Sequence, residues 1–438
     1  MAEVDPTKRI VITGMGMVSP LGFDVQSSWQ ALTEGRHGLC DIREVVEDYP
    51  QTKLKTRAAA PVAEFDLLNN PAFAANRQIR KDRTQWHKSS QLALEAAHQA
   101  LCQAGLTNDI RIDGQQVDFE RFGVSLGTGI GGAANLAKTG LELTKEDPRV
   151  RPSEILVSLP ARPGEVVSIV LGPEGPETPI AFEEAIFEEC ATGNANIANA
   201  ADQIRLGRAD VVLAGGTESA LEPATIAQFE ATRAVDSSNN PDLASRPFDQ
   251  EAKGLIFGEG AAVMVIESLE HARKRGAVIL AELIGYGKSA DAYGDTEPSG
   301  FGAVLALKRA LASARIEPRE IENGYVNAHA TATPLGDPVE IRALAQIFLP
   351  EQVSVSSTKG ATGHTFGAAG AIEAIFSIMA VRTGILPPTI KLQNPIAEAE
   401  SWNLIANEAQ SPSGGVDLAV NNSFGFGGPN YVTIWTRG

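Results

Sequence analysis

Apolar positions along this 438-residue chain follow two periods, short β-branched runs and longer stretches with alanine or leucine every third or fourth place. That alternation predicts strands interleaved with helices. Arg9 to Gly22, RIVITGMGMVSPLG, reads as a short strand running into glycines and a Pro turn, and Ser27 to Glu34 as helix. Asp41 to Asn76 is irregular and Pro-interrupted, a surface excursion. Lys88 to Ala104 has helical spacing and stops before Gly105. Arg121 to Gly132, RFGVSLGTGIGG, predicts a strand ending in glycines whose spacing does not fit a dinucleotide fingerprint. Asp147 to Pro163 reads as loop.

The chain is organised around Ala185 to Gly216. Ile197, Ala200, Ala201 and Ile204 give a helix that begins after Cys190 and stops at Gly207, and ADVVLAGG follows as a buried strand. After an Asn-, Ser- and Pro-rich loop, Arg233 to Asp249, Gly258 to Ser268 is a strand and LEHARKRG a helix stopped by Gly276. Val278 to Gly287 then restarts the pattern. Helices at Gly302 to Ala314, Pro338 to Phe348 and Gly367 to Arg382 alternate with the strands YVNAHA, VSVSST, LAVNNSF and YVTIW. Two successive α/β halves without a linker predict βαβ units stacked in one body, divided at 1–272 and 273–438.

Composition narrows the class. A hydrophobic share of 43% with mean hydropathy of -0.07 fits an ordinary globular protein. The N-terminal stretch lacks a signal-peptide run, and no stretch reads as the roughly 18 uncharged apolar residues of a membrane span. A cytoplasmic protein is expected. Cys40, Cys102 and Cys190 are far apart and include no CxxC, which predicts free thiols and no structural metal. A net charge of -17 argues against nucleic acid or an anionic membrane as partner.

Four stretches carry polar residues that a core would not choose. Cys190 stands where a helix begins, and unpaired N–H groups and the helix dipole favour a thiolate there. In NAHATATPLGDPVE a strand delivers His329, followed by Thr331 and Thr333. In SSTKGATGHTFGAAGA a strand leads to Lys359 and then His364. NNSFGFGGPN ends a strand in Phe424 and a run of glycines. A lone histidine at a strand end is usually structural. Two of the chain's six, each after a strand and beside small residues, together with a cysteine at a helix start, predict one convergent site.

In these residues the chain resembles the β-ketoacyl-acyl-carrier-protein synthases, elongating condensing enzymes of fatty acid synthesis with the thiolase fold. The likeness runs from RIVITGMGMVSPLG to YVTIW, and the motifs CATG, NAHATATPLGD, SSTKGATGH and NNSFGFGGPN occur in that order. The resemblance implies duplicated βαβαβ halves in an α-β-α-β-α body. It also implies that Cys190 carries the acyl chain as a thioester while malonyl-acyl carrier protein loses CO2. His329 and His364 would stabilise the enolate, and Lys359 would position His364 with Glu340 as its counter-charge. The backbone N–H groups of Cys190 and Phe424 would form the oxyanion hole, with Phe424 as gate. Thr331, Thr333, Ile130, Gly425 and Phe426 would line the path of substrate, which rides on the phosphopantetheine arm of the carrier protein with no free cofactor. Arg77, Arg80, Lys81 and Arg233 would dock the acidic carrier protein. A homodimer is implied, or a heterodimer with a related synthase.

The chain also departs from the family pattern. Small residues usually precede the cysteine, yet here the run is FEEAIFEEC. A carboxylate about 6 Å from the sulfur, at an effective dielectric near 20, disfavours the thiolate by roughly 3 kcal/mol. In this family that strand lies at the dimer interface, so its glutamates challenge the usual pairing. Ala330 and Ala332 stand where Gly and Ser are customary, and Pro429 where Thr is. Ser153 to Gly172 matches poorly, which leaves acyl length unread. The alternative is a non-catalytic, chain-length-factor-like partner subunit, although such subunits typically lack the cysteine. A degradative thiolase is weaker, since no Cys follows Cys190.

Overall fold

The computed structural model describes residues 8–46, 49–107, 109–151, 153–238 and 240–438. The β-branched runs form β1 (Ile10–Val18), β2 (Cys40–Asp41), β3 (Ala58–Ala60), β4 (Phe122–Gly127), β5 (Phe182–Glu184), β6 (Val211–Glu218), β7 (Phe257–Gly258) and β8 (Gly260–Ser268). Beyond these come β9 (Ala281–Ala290), β10 (Gly324–Asn327), β11 (Val353–Ser356), β12 (Asn403–Leu404), β13 (Leu418–Phe424) and β14 (Pro429–Arg437). Eleven of them make one sheet in the order β12-β11-β10-β13-β14-β9-β1-β8-β6-β4-β5, and β2-β3-β7 a small second one.

The large sheet contains a repeat. The run β5-β4-β6-β8-β1 is answered by β11-β10-β13-β14-β9. Parallel pairing of β4 with β5 and β6 recurs as β10 with β11 and β13. Antiparallel pairing of β8 with β6 and β1 recurs as β14 with β13 and β9. A short β1–β9 ladder, Ile10 opposite Leu283 to Ile12 opposite Ala281, joins the runs edge to edge. The expected halves are therefore continuous in hydrogen bonding.

Five layers result. The helices Thr192–Arg205 and Ala369–Thr383 lie in the middle, where Ile197, Ile204, Ile372 and Phe376 share one core with Met264 from the first half and Trp435 from the second. Lys88–Ala104 and Arg162–Leu171 cover the outer face of the first half through a core that includes Leu92, Val167, Leu213 and Val263. Phe301–Ala314 and Gly336–Leu344 cover the second through Leu307, Ile341, Val326 and Val420. This is the thiolase fold. Phe366–Thr383 is long and apolar enough to cross a membrane, but 89% of it is buried as the middle-layer helix.

Local readings differ in three places. Asp41 to Asn76, expected as a surface excursion, contributes to the small sheet through β3 and buries Ile42, Tyr49, Ala58, Leu67 and Phe73, because its apolar residues pack beneath the chain that carries them. The stretch expected as loop before Gly172 contains the short helix Glu154–Val157 and the start of Arg162–Leu171, which places Pro163 in the first turn. There its missing N–H costs nothing. The run before Cys190 is strand only at Phe182–Glu184, and Glu189–Ala191 forms a 3-10 turn with Glu189 at φ 45°. Glu189 and Cys190 therefore do not alternate across a sheet.

Candidate active site

Cys190 lies in that turn at the entrance of the Thr192–Arg205 helix, 7% exposed. The turn is held by Ala191 N–H donating to Glu188 O at 2.8 Å and Glu188 N–H donating to Thr192 Oγ1 at 3.0 Å. Burial pushes the thiol up to about 12. Lys359 pulls the other way, Glu189 and Glu218 add to the rise, and the Phe426 N–H, bonded to the sulfur, lowers it. The expectation of a resting thiolate is thus corrected. A helix entrance does not offset removing the sulfur from water.

The second half delivers the imidazoles. β10 ends at Asn327, and the chain leaving it is pinned by Glu340, which accepts the N–H groups of His329 at 2.9 Å and Ala330 at 2.7 Å. Asn422 Nδ2 donates to the same carboxylate at 2.9 Å. His364 follows the short helix Lys359–Thr362, and its backbone is bonded to Ile256 O and Gly258 N. The two rings meet edge to face with centroids 5.5 Å apart, and Phe366 packs 4.6 Å from His364. Burial, and next the Lys359 charge, hold both histidines well below their ordinary range, so both are neutral at pH 7. Both ring nitrogens of His364 and Nδ1 of His329 have no partner among the described residues.

Two assigned partners change. Lys359 Nζ is paired with Glu373 on the Ala369–Thr383 helix, with both side chains buried. Glu340 is spent on the His329 turn and is not the counter-charge. The N–H that reaches the sulfur belongs to Phe426. Phe424 is the last residue of β13, paired with Asn430 of β14, and its ring packs 5.7 Å from His329. The strand ladder fixes Phe424, whereas Phe426 sits among Gly425, Gly427 (φ 81°) and Gly428 (φ 102°), conformations that favour glycine.

Cys190, His329, His364, Phe424, Gly425 and Phe426 line one cavity of about 340 Å³. Thr331, Thr333 and Arg233 line it as well, the two hydroxyls 3.2 Å apart. Ile130 packs in the apolar cluster that holds Cys190, Phe229 and Phe366. Arg77, Arg80 and Lys81 are exposed on the helix Arg77–Asp82 and make no ion pair among the described residues. Beyond that helix, His87 Nε2 approaches Glu222 at 3.7 Å. Glu222 caps the helix Pro223–Thr232, and Arg233 ends it. One ten-residue helix, ~15 Å long, thus leads from the basic cluster's neighbourhood to the cavity.

Several positioning groups escape a reading by motif. Buried Glu218 accepts N–H groups from Gly129 at 2.8 Å and from Ile130 and Gly367 at 3.2 Å each. The glycine turn after β4 thus wraps a carboxylate, which burial raises to about 8. Asn421 Nδ2 donates to Asn194 Oδ1 at 3.1 Å, and Asn194 Nδ2 donates to Ser423 Oγ at 2.9 Å, clasping the Cys190 helix to β13. Asp337 holds Phe248 N–H at 2.8 Å and Thr333 N–H at 3.2 Å. The available signal was polarity inside strand-like runs: TES after AGG, and NNS in LAVNNSF.

A buried cysteine facing two neutral imidazoles, across halves of duplicated topology, defines a thiolase-fold enzyme that handles acyl thioesters. The chain belongs to the beta-ketoacyl synthase family, matching its N-terminal domain over residues 7–272 and its C-terminal domain over 280–393. It is 39% identical over 437 residues to 3-oxoacyl-[acyl-carrier-protein] synthase 2 of Coxiella burnetii, covering 98% of this chain and 99% of that one. The mitochondrial 3-oxoacyl-[acyl-carrier-protein] synthase of Arabidopsis thaliana is also 39% identical, over 97% of this chain and 92% of its own length. A beta-ketoacyl synthase structure from Burkholderia phymatum STM815 superposes with TM-score 0.86 at 31% identity, covering 99% of this chain and 100% of that one. A type II polyketide ketosynthase solved with its acyl-carrier protein gives TM-score 0.83 at 28% identity, covering 98% of this chain and 100% of that one.

Proposed function

We propose that this chain condenses an enzyme-bound acyl thioester with malonyl-acyl carrier protein, releasing CO2 and giving 3-oxoacyl-acyl carrier protein, as in fatty acid elongation. The observation that carries the reading is the meeting of Cys190, His329 and His364 in one cavity. A thiol raised to about 12 does not ionise in advance, so its proton leaves as the sulfur attacks. The neutral imidazoles beside it are the acceptors within the site. The acyl chain passes to sulfur, and the carrier thiol departs with the proton.

In the second step malonyl carrier protein loses CO2, and its electrons collect on the thioester oxygen. His329 and His364, neutral and with uncommitted ring nitrogens, donate to that oxygen as charge develops. The carbanion attacks the Cys190 thioester. That attack closes the carbon–carbon bond and gives a tetrahedral oxyanion, which accepts the N–H groups of Cys190 and Phe426. Its collapse re-forms the carbonyl and breaks the bond to sulfur, and the freed sulfur takes up a proton from solvent to restore the thiol. Loss of one such donor costs about 3 to 4 kcal/mol in other acyl-transfer enzymes. The Lys359–Glu373 pair fixes the charge beside both rings and supports their neutral form.

The substrate rides on a phosphopantetheine arm, with no free cofactor. Thr331 and Thr333 would bond the arm, Ile130 would line the acyl pocket, and Phe426, between its glycines, would gate it. Arg77, Arg80, Lys81 and Arg233 would receive the acidic carrier protein. We also propose a cytoplasmic location, two halves divided at 272, and function as a pair with a second chain of this fold.

Intact-mass measurement after incubation with acyl carrier substrate tests the chemistry. A stable acyl adduct on the wild type that vanishes in Cys190→Ala is expected, with condensation falling at least about a thousandfold. Absence of both adduct and CO2 release from malonyl carrier protein would sink the reading. Charge reversal of Arg80 and Lys81 should raise KM for carrier-bound substrate severalfold at low salt with kcat little changed. Unchanged kinetics would remove these residues from the docking site.

A further inference from the structure

The mouth of the cavity is a ring of five segments, and its two sides differ in character. The ring starts at Arg233, which ends the helix Pro223–Thr232. Lys253 to Leu255 runs beside it, with Leu255 N–H donating to Ala234 O at 2.8 Å. Gly254 N–H donates to Ala332 O at 2.8 Å, which brings in the threonine turn as far as Leu335. A Cβ on Gly300 would lie 3.0 Å from Val339 Cγ1, so the loop 291–300 stands against the helix that follows Leu335. That loop meets the glycine run where Gly427 N–H donates to Asp295 O at 2.8 Å. Phe426 closes the circle by stacking on Phe229 of the first helix, with centroids 6.3 Å apart. Arg233 and the loop 291–300 are thus separated by the threonine turn one way round and the glycine run the other, and face each other across the opening.

The Arg233 side is basic. Arg233 and Lys253 are exposed and make no ion pair among the described residues. The far side is acidic and apolar. Asp291 is committed to the loop's shape, accepting Ser299 N–H at 2.7 Å and Asn430 Nδ2 at 3.2 Å. Asp295 and Glu297 line the cavity, are exposed, and make no side-chain hydrogen bond or ion pair among the described residues. No lysine or arginine falls between Lys288 and Lys308. Leu335 lines the cavity too, and Tyr293 and Phe301 are next in the chain to Gly294 and Gly300, which do. All three are exposed, Phe301 at 76% the most exposed of the large hydrophobic residues described. Leu305 extends this rim by one helical turn. Lys308 and Arg309 come two turns along the same helix, about 10 Å from Phe301, a Debye length at 0.1 M salt. Exposed apolar groups beside unpaired carboxylates do nothing for folding, and such a rim marks recognition.

Charge decides the occupant. The arm of a carrier enters through this ring, so the protein on which it rides covers both rims at once. An acidic surface gains at Arg233 and Lys253 and loses at Asp295 and Glu297. We infer that Asp295, Glu297, Tyr293, Phe301 and Leu335 select, among acyl carrier proteins, one whose carboxylates are confined to one side of its arm and whose opposite flank is apolar or basic. A carrier acidic on every side is the poorer partner. The inference rests on the proposed condensation, and adds which carrier the mouth accepts and in which orientation.

Affinity and turnover at low salt test it. The probe is an acyl carrier protein acidic on every side of its arm, and the control is an acyl-pantetheine thioester, which lacks the protein. Asp295→Asn/Glu297→Gln should tighten Kd for the probe about fivefold and lower its KM to match, an effect that fades by about 0.5 M salt. KM for acyl-pantetheine should move less than about twofold, since no carrier surface meets the rim. Two versions of the probe, each with the carboxylates of one flank changed to alanine or leucine, then report orientation on wild type itself. Only one of them should bind about fivefold more tightly, and that gain should vanish in Phe301→Ser/Leu335→Ser. The comparison of the two flanks decides the matter alone if a substitution in this chain prevents folding. Equal binding of the two flank versions, or a Kd unmoved by Asp295→Asn/Glu297→Gln, would overturn the inference and leave the condensation chemistry intact. Failure of Cys190 to acylate from any carrier or from acyl-pantetheine would overturn that chemistry instead.

Discussion

The turns that enter the two middle helices have the same backbone and different contents. Glu189–Cys190–Ala191 precedes Thr192–Arg205, and Phe366–Gly367–Ala368 precedes Ala369–Thr383, both as 3-10 turns. The first residue of each is left-handed, Glu189 at φ 45° and Phe366 at φ 43°. Such strain costs of order 1–3 kcal/mol per residue. The repeat thus offers two equivalent places for a side chain. In the first half the place holds the sulfur. In the second it must be empty, because a Cβ on Gly367 would lie 2.1 Å from Gly129 N. That close approach lets Glu218 collect N–H groups from both halves behind Cys190. The asymmetry of the site is therefore steric in origin. One half presents the thiol and a clamp, and the other clears its own equivalent turn and contributes the histidines.

The comparison can be broken from either side. The largest effect should come from His364→Ala, which removes a donor that the first half does not duplicate. Release of CO2 from malonyl carrier protein should fall about 100- to 1000-fold while acylation of Cys190, for which His329 remains as proton acceptor, falls less, and equal loss of both steps would refute the division of labour. Gly367→Ala tests the cleared turn, with an expected loss of about 1–3 kcal/mol in denaturant unfolding. An unchanged midpoint would show that the turn did not need to be empty. Glu189→Gln is the mildest change. Removing its charge should shift the pH midpoint of Cys190 alkylation downward, since the carboxylate opposes the thiolate. Because burial is the first cause of the raised value, the gain in rate at pH 8 should be roughly threefold or less. A midpoint that does not move would separate Glu189 from the sulfur electrostatically.

The comparison also explains why parts of the site could be read from the chain and others could not. Cys190 at a helix entrance and His329 after a strand follow from local pattern, because the feature that marks each residue lies within a few positions of it. Glu373 as the partner of Lys359 does not. It sits inside AGAIEAIFSIMA, a run whose apolar spacing predicts only a buried helix, and its role appears when that helix is packed. The approach of the Phe426 N–H to the sulfur is not legible either, because a glycine-rich run fixes no direction. Pairing of β13 through Phe424 with Asn430 settles where the strand ends and the loop begins.

Sequence alone determined the alternation of strands and helices, the duplication, the residue types able to carry acyl-thioester chemistry and the family that uses them. These depend on spacing and side-chain identity, which are properties of short segments. Tertiary structure alone decided which carboxylate meets Lys359, which amide meets the sulfur, that burial leaves the thiol protonated, and that an acidic strand ends the sheet. Each of these arises between segments far apart in the chain, where distance, desolvation and steric clearance are set by packing.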